Sequence, residues 1–95
     1  MNPDTLSNGA LDAIEAGNYA LAEELCRRLL RNFPTLFDGH DRLGMLRMAQ
    51  GRFEEAAEHY SLVLAMMKKD PFGVDPETME EFTGLRDEAL ARAKG

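Results

Sequence analysis

A spacing of 34 residues recurs in this chain and constrains its fold more than any other feature. Gly17 and Tyr19 are followed 34 residues later by Gly51 and Phe53. The same offset relates three further pairs: Ala22 and Ala56, Cys26 and Tyr60, and Leu29-Leu30 and Val63-Leu64. Within each copy the apolar residues fall three or four apart, as on one face of a helix, and the glycine stands where a chain can turn back. The repeat predicts two copies of an antiparallel helical hairpin.

Local start and stop signals predict five helices. The opening Asn2-Pro3-Asp4-Thr5 offers capping side chains, and Asp75-Pro76 combines a capping residue with proline in the first helical position. The predicted helices run from the Asn2–Thr5 cap to Gly17, from Tyr19 to Asn32–Pro34, from the Thr35–Gly39 link to Gln50, from Phe53 to about Lys69, and from Pro76 to about Lys94. Pro71 and Gly73 mark a loop from Asp70 to Asp75, the longest predicted. No run of alternating β-branched residues is present, so we expect an all-α fold.

The fifth helix is predicted to bury its apolar side. The residues expected to point inward are Met79, Phe82, Leu85, Ala89, Leu90 and Ala93. The other side of this helix is rich in acidic residues, which suits a terminal helix that covers the end of a repeat array. The alternative is that this helix is the first half of a third unit whose second helix is missing.

Length and charge limit the possible functions. The chain has 95 residues, enough for one domain, and its formal net charge of −6 makes nucleic acid and anionic membranes unfavourable partners. Its single cysteine, Cys26, forms no internal disulfide. We find neither a basic start followed by an apolar run in the first twenty residues nor an apolar stretch long enough to span a bilayer. We therefore expect a cytoplasmic protein.

The repeat resembles the tetratricopeptide repeat in its period and in its key residues. The second unit carries the leucine-glycine pair Leu43-Gly44 on its first helix, and Ala56 with Tyr60 on its second. The first unit is more degenerate but keeps the register with Leu6, Gly9-Ala10, Ala13, Ala22, Cys26, Leu29 and Pro34. His40 and Arg47 stand where the family has aromatic residues, and Lys68 stands where it has proline. The resemblance covers residues 3–70, as repeat one at 3–36 and repeat two at 37–70, with a capping helix at 76–94.

The resemblance implies a protein–protein interaction module rather than an enzyme. In this family the first helices of successive units line a concave groove that receives a peptide or a helix. The residues at those positions form an apolar floor with an acidic rim; those predicted to bind a partner are Ser7, Leu11, Ile14, Glu15, Asp38, Asp41, Met45 and Met48. Asp4 and Ala49 also face this groove. Such a surface would suit a partner with an apolar face and basic flanks, because methionine adapts to varied apolar shapes.

Two alternatives to a vacant groove stay open at this point. Leu11, Ile14, Met45 and Met48 could be core residues covered by the fifth helix. They could equally join two copies of the chain, which would make the protein a homo-oligomeric assembly element. The carboxylate clamp of chaperone-binding members is absent, since its positions carry Ser7, Leu11 and Arg42.

Chemistry-bearing residues are few. His40 and His59 lie on different predicted helices, and neither has a second histidine at helical spacing to form a metal pair. We interpret both as structural, and Cys26 as a small buried hydrophobe at an aromatic position. No cofactor, metal or catalytic residue is predicted.

Charged residues on the second and third helices give two further expectations. Arg27 and Arg28 are placed to pair with Glu23 and Glu24 at i to i+4 spacing. The alternative to this internal pairing is that the two arginines and Arg31 together form a contact patch for an acidic partner. Arg47 is expected to meet an acid of the fifth helix: Glu80, Glu81 or Glu88.

Overall fold

Five α-helices make up the fold in the computed structural model, which describes residues 2–70 and 72–95. The helices are α1 (Pro3–Glu15), α2 (Tyr19–Asn32), α3 (Asp38–Ala49), α4 (Phe53–Lys69) and α5 (Pro76–Lys94). No residue of the described ranges belongs to a strand, which confirms the all-α prediction. None of these helices is both long enough and apolar enough to cross a membrane. The predicted break at Pro71 lies outside the described residues.

Helix starts follow from local capping chemistry. The Asn2 side-chain oxygen accepts a hydrogen bond from the Thr5 amide at 2.8 Å, and Asp75 accepts one from the Thr78 amide at 3.2 Å. Each cap satisfies an amide that has no carbonyl partner within the helix. In both helices a proline occupies the first turn. Asp75 and Pro76 are the predicted cap and first helical residue, and Asn2 belongs to the stretch in which the first cap was predicted.

The link before α3 is shorter than predicted, because Asp38 and Gly39 are already helical. The Phe37 carbonyl accepts the Asp41 amide at 2.9 Å, which extends the helix backwards into the expected link. Gly39 serves close packing rather than a chain break. A Cβ at this position would lie 2.7 Å from Cδ2 of Leu30 on α2, so a larger residue would push the two helices apart.

The turn between α1 and α2 is repeated 34 residues later between α3 and α4. Gly17 and Gly51 both adopt the left-handed conformation, with φ of 76° and 75°, which glycine accepts without steric cost. The hydrogen bonds that close the two turns are equivalent: Asn18 N–H to the Ala13 carbonyl and Arg52 N–H to the Arg47 carbonyl, both 2.8 Å. This is the Schellman arrangement that ends many helices. The sequence repeat is therefore also a repeat of backbone geometry.

Apolar side chains form two clusters along the chain. The first joins α1, α2 and α3 through Ala10, Ala13, Ala22, Cys26, Leu43 and Leu46. The second joins α4 and α5 and centres on Tyr60 and Phe82, whose ring centroids lie 6.2 Å apart. Phe37 and Met48 pack against this second cluster, so α3 and the link before it connect the two cores. Consecutive helices are in contact throughout, and α3 also contacts α1.

Most of the predicted inner face of α5 is confirmed, but Leu90 is not on it. Phe82 and Ala89 are buried, and Met79 and Leu85 pack against the same cluster. Leu90 is 44% exposed. Since successive residues are about 100° apart around a helix axis, the residue after the buried Ala89 lies at the edge of the face that contacts α4 and not within it.

Candidate protein-binding site

Arg42 connects the two helices that carry the predicted binding residues. Its Nε atom donates to the Ser7 hydroxyl at 2.9 Å and to the Ser7 carbonyl at 3.1 Å. Ser7 is only 4% exposed. Because both of its oxygen atoms accept from Arg42, Ser7 is part of the contact between α1 and α3, and a partner could reach it only by displacing that arginine.

The same arginine holds two more of the predicted residues. Its Nη1 atom donates to the Met45 sulfur at 3.1 Å and lies 3.6 Å from an oxygen of Asp41. The structure therefore brings Ser7, Asp41 and Met45 together around one guanidinium. In the sequence Arg42 stands out only as a departure from the family's carboxylate clamp, so its organising position was missed.

The apolar residues of the predicted groove divide into two kinds. Ile14 packs against the first core cluster and Met48 against the second, so part of each side chain belongs to the core. Leu11 and Met45 are half-buried and belong to neither cluster. We call these four residues the α1–α3 surface. Of the acidic rim, Glu15 is exposed, while Asp38 and Asp41 are half-buried.

The acidity of Asp41, on the rim, is strongly altered. Its pKa is raised from 3.8 to about 6, chiefly by burial; Arg42 opposes this rise, and the nearby Asp38 and Glu81 contribute to it. A half-buried carboxylate near other acids favours the protonated form. The charge of this rim therefore decreases as the pH falls towards 6.

Arg47 does not meet an acid of α5 as predicted. It forms a bidentate pair with Glu23 of α2, with Nη1–Oε1 and Nη2–Oε2 distances of 2.7 and 3.1 Å. Its Nε atom also lies 3.7 Å from Glu55 of α4. Arg47 is 8% exposed, and Glu23 holds its pKa above the usual range. The prediction failed because the direction in which α3 presents this residue depends on how the hairpins dock, which spacing along the chain does not reveal.

His40 and His59 are in direct contact, a relationship that the sequence did not indicate. Their Nδ1 atoms lie 3.1 Å apart, whereas their ring centroids are 5.4 Å apart and the rings are inclined by 28°. The nitrogens thus face each other between two nearly coplanar rings, and one ring donates while the other accepts. Burial lowers the pKa of both imidazoles, and His40 and Arg47 lower that of His59 further.

The predicted burial of Cys26 and two predicted ion pairs of α2 agree with the structure. Cys26 is fully buried, and burial raises the pKa of its thiol to about 12. Arg27 pairs with Glu23 at 3.3 Å and Arg28 with Glu24 at 2.8 Å, both at the predicted spacing. Among residues 2–70 and 72–95, no group of three or more His, Cys, Asp or Glu side chains is placed to hold a metal ion.

Comparison with known proteins identified no relative: no protein-family model matches the chain, and no curated protein or solved structure is significantly similar to it.

Proposed function

We propose that this chain is a tetratricopeptide-like protein–protein interaction module without catalytic activity, built from two repeats and a C-terminal helix. Its partner is a peptide or helix with an apolar face, which binds against the α1–α3 surface. Basic flanks on the partner would meet the acidic rim formed by Glu15, Asp38 and Asp41. The observation that carries the proposal is that Leu11 and Met45 are only half-buried apolar side chains, on neighbouring helices, and belong to neither core cluster.

The repeated turn supports the same proposal. The turns at Gly17 and Gly51, after α1 and α3, have equivalent backbone hydrogen bonds. The first helix of each unit is therefore connected to the second helix by the same kind of turn. Packing between α1 and α3 brings these two helices side by side. Adjacent first helices are what a tetratricopeptide-like groove requires. A surface this small would bind a short partner at about micromolar strength.

Selection of displayed peptides tests the proposal, because a random library samples many candidate partners at once. A library of helical and extended peptides would be selected on the native chain and counter-selected on a Leu11→Glu, Met45→Glu double variant. Met48 is left unchanged because it packs against the second core cluster. Leu21→Glu, on the 41% exposed Leu21 of α2, is the matched control. We expect peptides with an apolar stripe that bind the native and control chains but not the double variant.

Two outcomes would contradict the proposal. One is that no peptide survives the counter-selection, because every peptide that binds the native chain also binds the double variant. The other is that light scattering over a hundredfold concentration range finds a native dimer and a folded monomeric double variant. That second result would assign the α1–α3 surface to self-association, and the chain to a homo-oligomeric assembly.

A further inference from the structure

A second apolar depression lies between α4 and α5, away from the α1–α3 surface. Its volume is about 730 Å³, and Leu62 of α4 and Leu90 of α5 are its large side chains. Leu62 is 46% exposed and Leu90 is 44% exposed. Three small residues, Ala57, Ser61 and Ala93, also line the depression. We call this depression the α4–α5 groove. It shares no residue with the surface proposed above.

The 34-residue repeat shows what is unusual about this groove. On α2, Glu24 pairs with Arg28 at 2.8 Å. The equivalent residues of α4 are Glu58 and Leu62, both of which line the groove. The second unit thus keeps the carboxylate but has an exposed leucine in place of its cation. Within residues 2–70 and 72–95, Glu58 forms no ion pair.

A second carboxylate stands on the same side of the groove. Glu54 lies one helical turn before Glu58 on α4, and it too forms no ion pair among the described residues. Lys94 of α5 is the one cation of the lining, so the groove is net acidic. A partner that carries an arginine or lysine would form with Glu58 the ion pair that Glu24 and Arg28 form within α2. The same partner would cover the two leucines.

The dimensions of the groove favour a helix as the occupant. From Glu54 to Leu62 the α4 wall extends for about two turns, or roughly 12 Å at 1.5 Å per residue. A channel between two helices with small residues in its lining accepts the ridge of a third helix. An amphipathic helix is recognised through a few of its own apolar residues, spaced by one turn. In this groove those residues would pack between the two leucines on opposite walls.

We propose that the α4–α5 groove docks a basic amphipathic helix of another protein, which covers Leu62 and Leu90 and pairs with Glu54 and Glu58. A second copy of this chain fits the groove less well. Copies that each carry a net charge of −6 repel one another. In addition, Arg27 and Arg28 on the exposed side of α2 already have carboxylate partners within their own helix.

Two synthetic peptides serve as probes. One is a helical peptide with leucines along one face and arginines on both sides of that face, and its twin carries glutamates in place of the arginines. Binding is measured by fluorescence anisotropy of the labelled peptide, and the contact residues are mapped by amide chemical shifts of the full chain. We expect the arginine peptide to bind and to shift α4 and α5 amides, and the glutamate twin not to bind.

Leu62→Arg is the decisive variant, because it gives α4 the residue that α2 has at the equivalent position. It removes an apolar anchor and offers Glu58 an internal partner, so we expect the arginine peptide to bind at least about tenfold more weakly. Since Leu62 is half-exposed, the variant should keep the native helix content and melting temperature. Leu21→Arg, on a leucine of α2 with similar exposure, is the matched control and should bind like the native chain.

Three results would overturn the proposal. The Leu62→Arg variant could bind as tightly as the native chain, or the two peptides could bind alike. The shifts could instead fall on α1 and α3, which would favour the first proposed surface over this one. Finally, a native oligomer that Leu62→Arg converts to a folded monomer would make a second copy the occupant. The effect of Leu62→Arg on binding does not depend on whether the α1–α3 surface binds a peptide, so the two proposals fail separately.

Discussion

The Nδ1 atoms of His40 and His59 lie 3.1 Å apart on α3 and α4, so one ring can donate to the other only while the accepting nitrogen carries no proton. If both rings were protonated at both nitrogens, two donors and two positive charges would face each other. Burial already lowers both pKa values below the ordinary 6.5. The contact between α3 and α4 therefore depends on at least one neutral imidazole.

From this contact we predict a loss of stability in mild acid. Between the lowered pKa values and 6.5 the unfolded chain binds more protons than the folded chain, so stability rises with pH through this window and is lost as the pH falls below about 6.5. Each proton of difference changes the free energy of unfolding by about 1.4 kcal/mol per pH unit. Urea unfolding at a series of pH values measures this slope. His40→Phe should flatten it, and an unchanged slope in that variant would contradict the prediction.

The titration of Asp41 is predicted to change stability with pH in the opposite direction to that of the two histidines. Its pKa is raised from 3.8 to about 6, so between these values the folded chain binds more protons than the unfolded chain, and stability falls as the pH rises. Asp41→Asn should stabilise the protein at pH 7 by about 1 kcal/mol, after the loss of its contact with Arg42 is counted. The gain should disappear by about pH 4. Asp12→Asn, on an exposed residue of α1, is the control and should show no such trend in urea unfolding.

We predict that any larger residue in place of Gly44 would destabilise the protein, because this glycine packs against Tyr60. A Cβ at residue 44 would lie 2.6 Å from Cε1 of Tyr60, whose ring is buried and held by Phe82. Gly44→Ala should therefore reduce the free energy of unfolding by about 1–3 kcal/mol. Gly84→Ala is the matched control, because among the described residues nothing lies within 4 Å of a Cβ at this helical glycine. The control should be stabilising by about 0.5–1 kcal/mol.

The residues of the first unit suggest a second substitution that should partly restore the stability of Gly44→Ala. Ala10 and Cys26 are the residues equivalent to Gly44 and Tyr60, and both are buried in the first core cluster. Gly44→Ala combined with Tyr60→Cys should be more stable than the sum of the two single effects predicts, by at least about 0.5 kcal/mol. Strict additivity in thermal or urea unfolding would mean that the two residues do not constrain each other.

Arg47 and Arg27 contact the same carboxylate, Glu23, and should contribute very differently to stability. Arg47 is almost buried and makes the bidentate contact, while the Arg27 side chain is 68% exposed. Arg47→Met should cost about 2 kcal/mol, because it removes two short hydrogen bonds to the half-buried Glu23 that the exposed Arg27 does not replace. Arg27→Met should cost less than about 0.5 kcal/mol. Equal losses in the free energy of unfolding of the two variants would show that burial does not increase the contribution of Arg47 to stability.

Features governed by neighbouring residues were predictable from the sequence. The caps at Asn2 and Asp75 and the turns at Gly17 and Gly51 depend on side chains within a few positions, and each is found where the local signal predicts it. The five helices follow from these signals and from the spacing of apolar residues. The start of α3 was placed too late because Asp38 and Gly39 were assigned to the preceding link, whereas both are helical and Gly39 packs closely against Leu30.

Features that depend on how helices rotate against each other were not predictable. The partner of Arg47, the exposure of Leu90 and the contact between His40 and His59 all depend on which side of a helix meets which neighbour. Periodicity defines an apolar face to within about one residue, and Leu90 lies just outside that limit on α5. For the same reason the sequence did not indicate that Arg42 encloses Ser7, a residue expected to meet a partner.

The ion pair between Arg47 and Glu23 also has a consequence for the order of folding. Its two residues are 24 positions apart and belong to different hairpins, whereas the contacts within each hairpin close short loops and can form early. The pair can assemble only once the hairpins dock, late on the folding route. Its loss should therefore accelerate unfolding while leaving the rate of folding almost unchanged, so this arginine acts mainly on the lifetime of the native state.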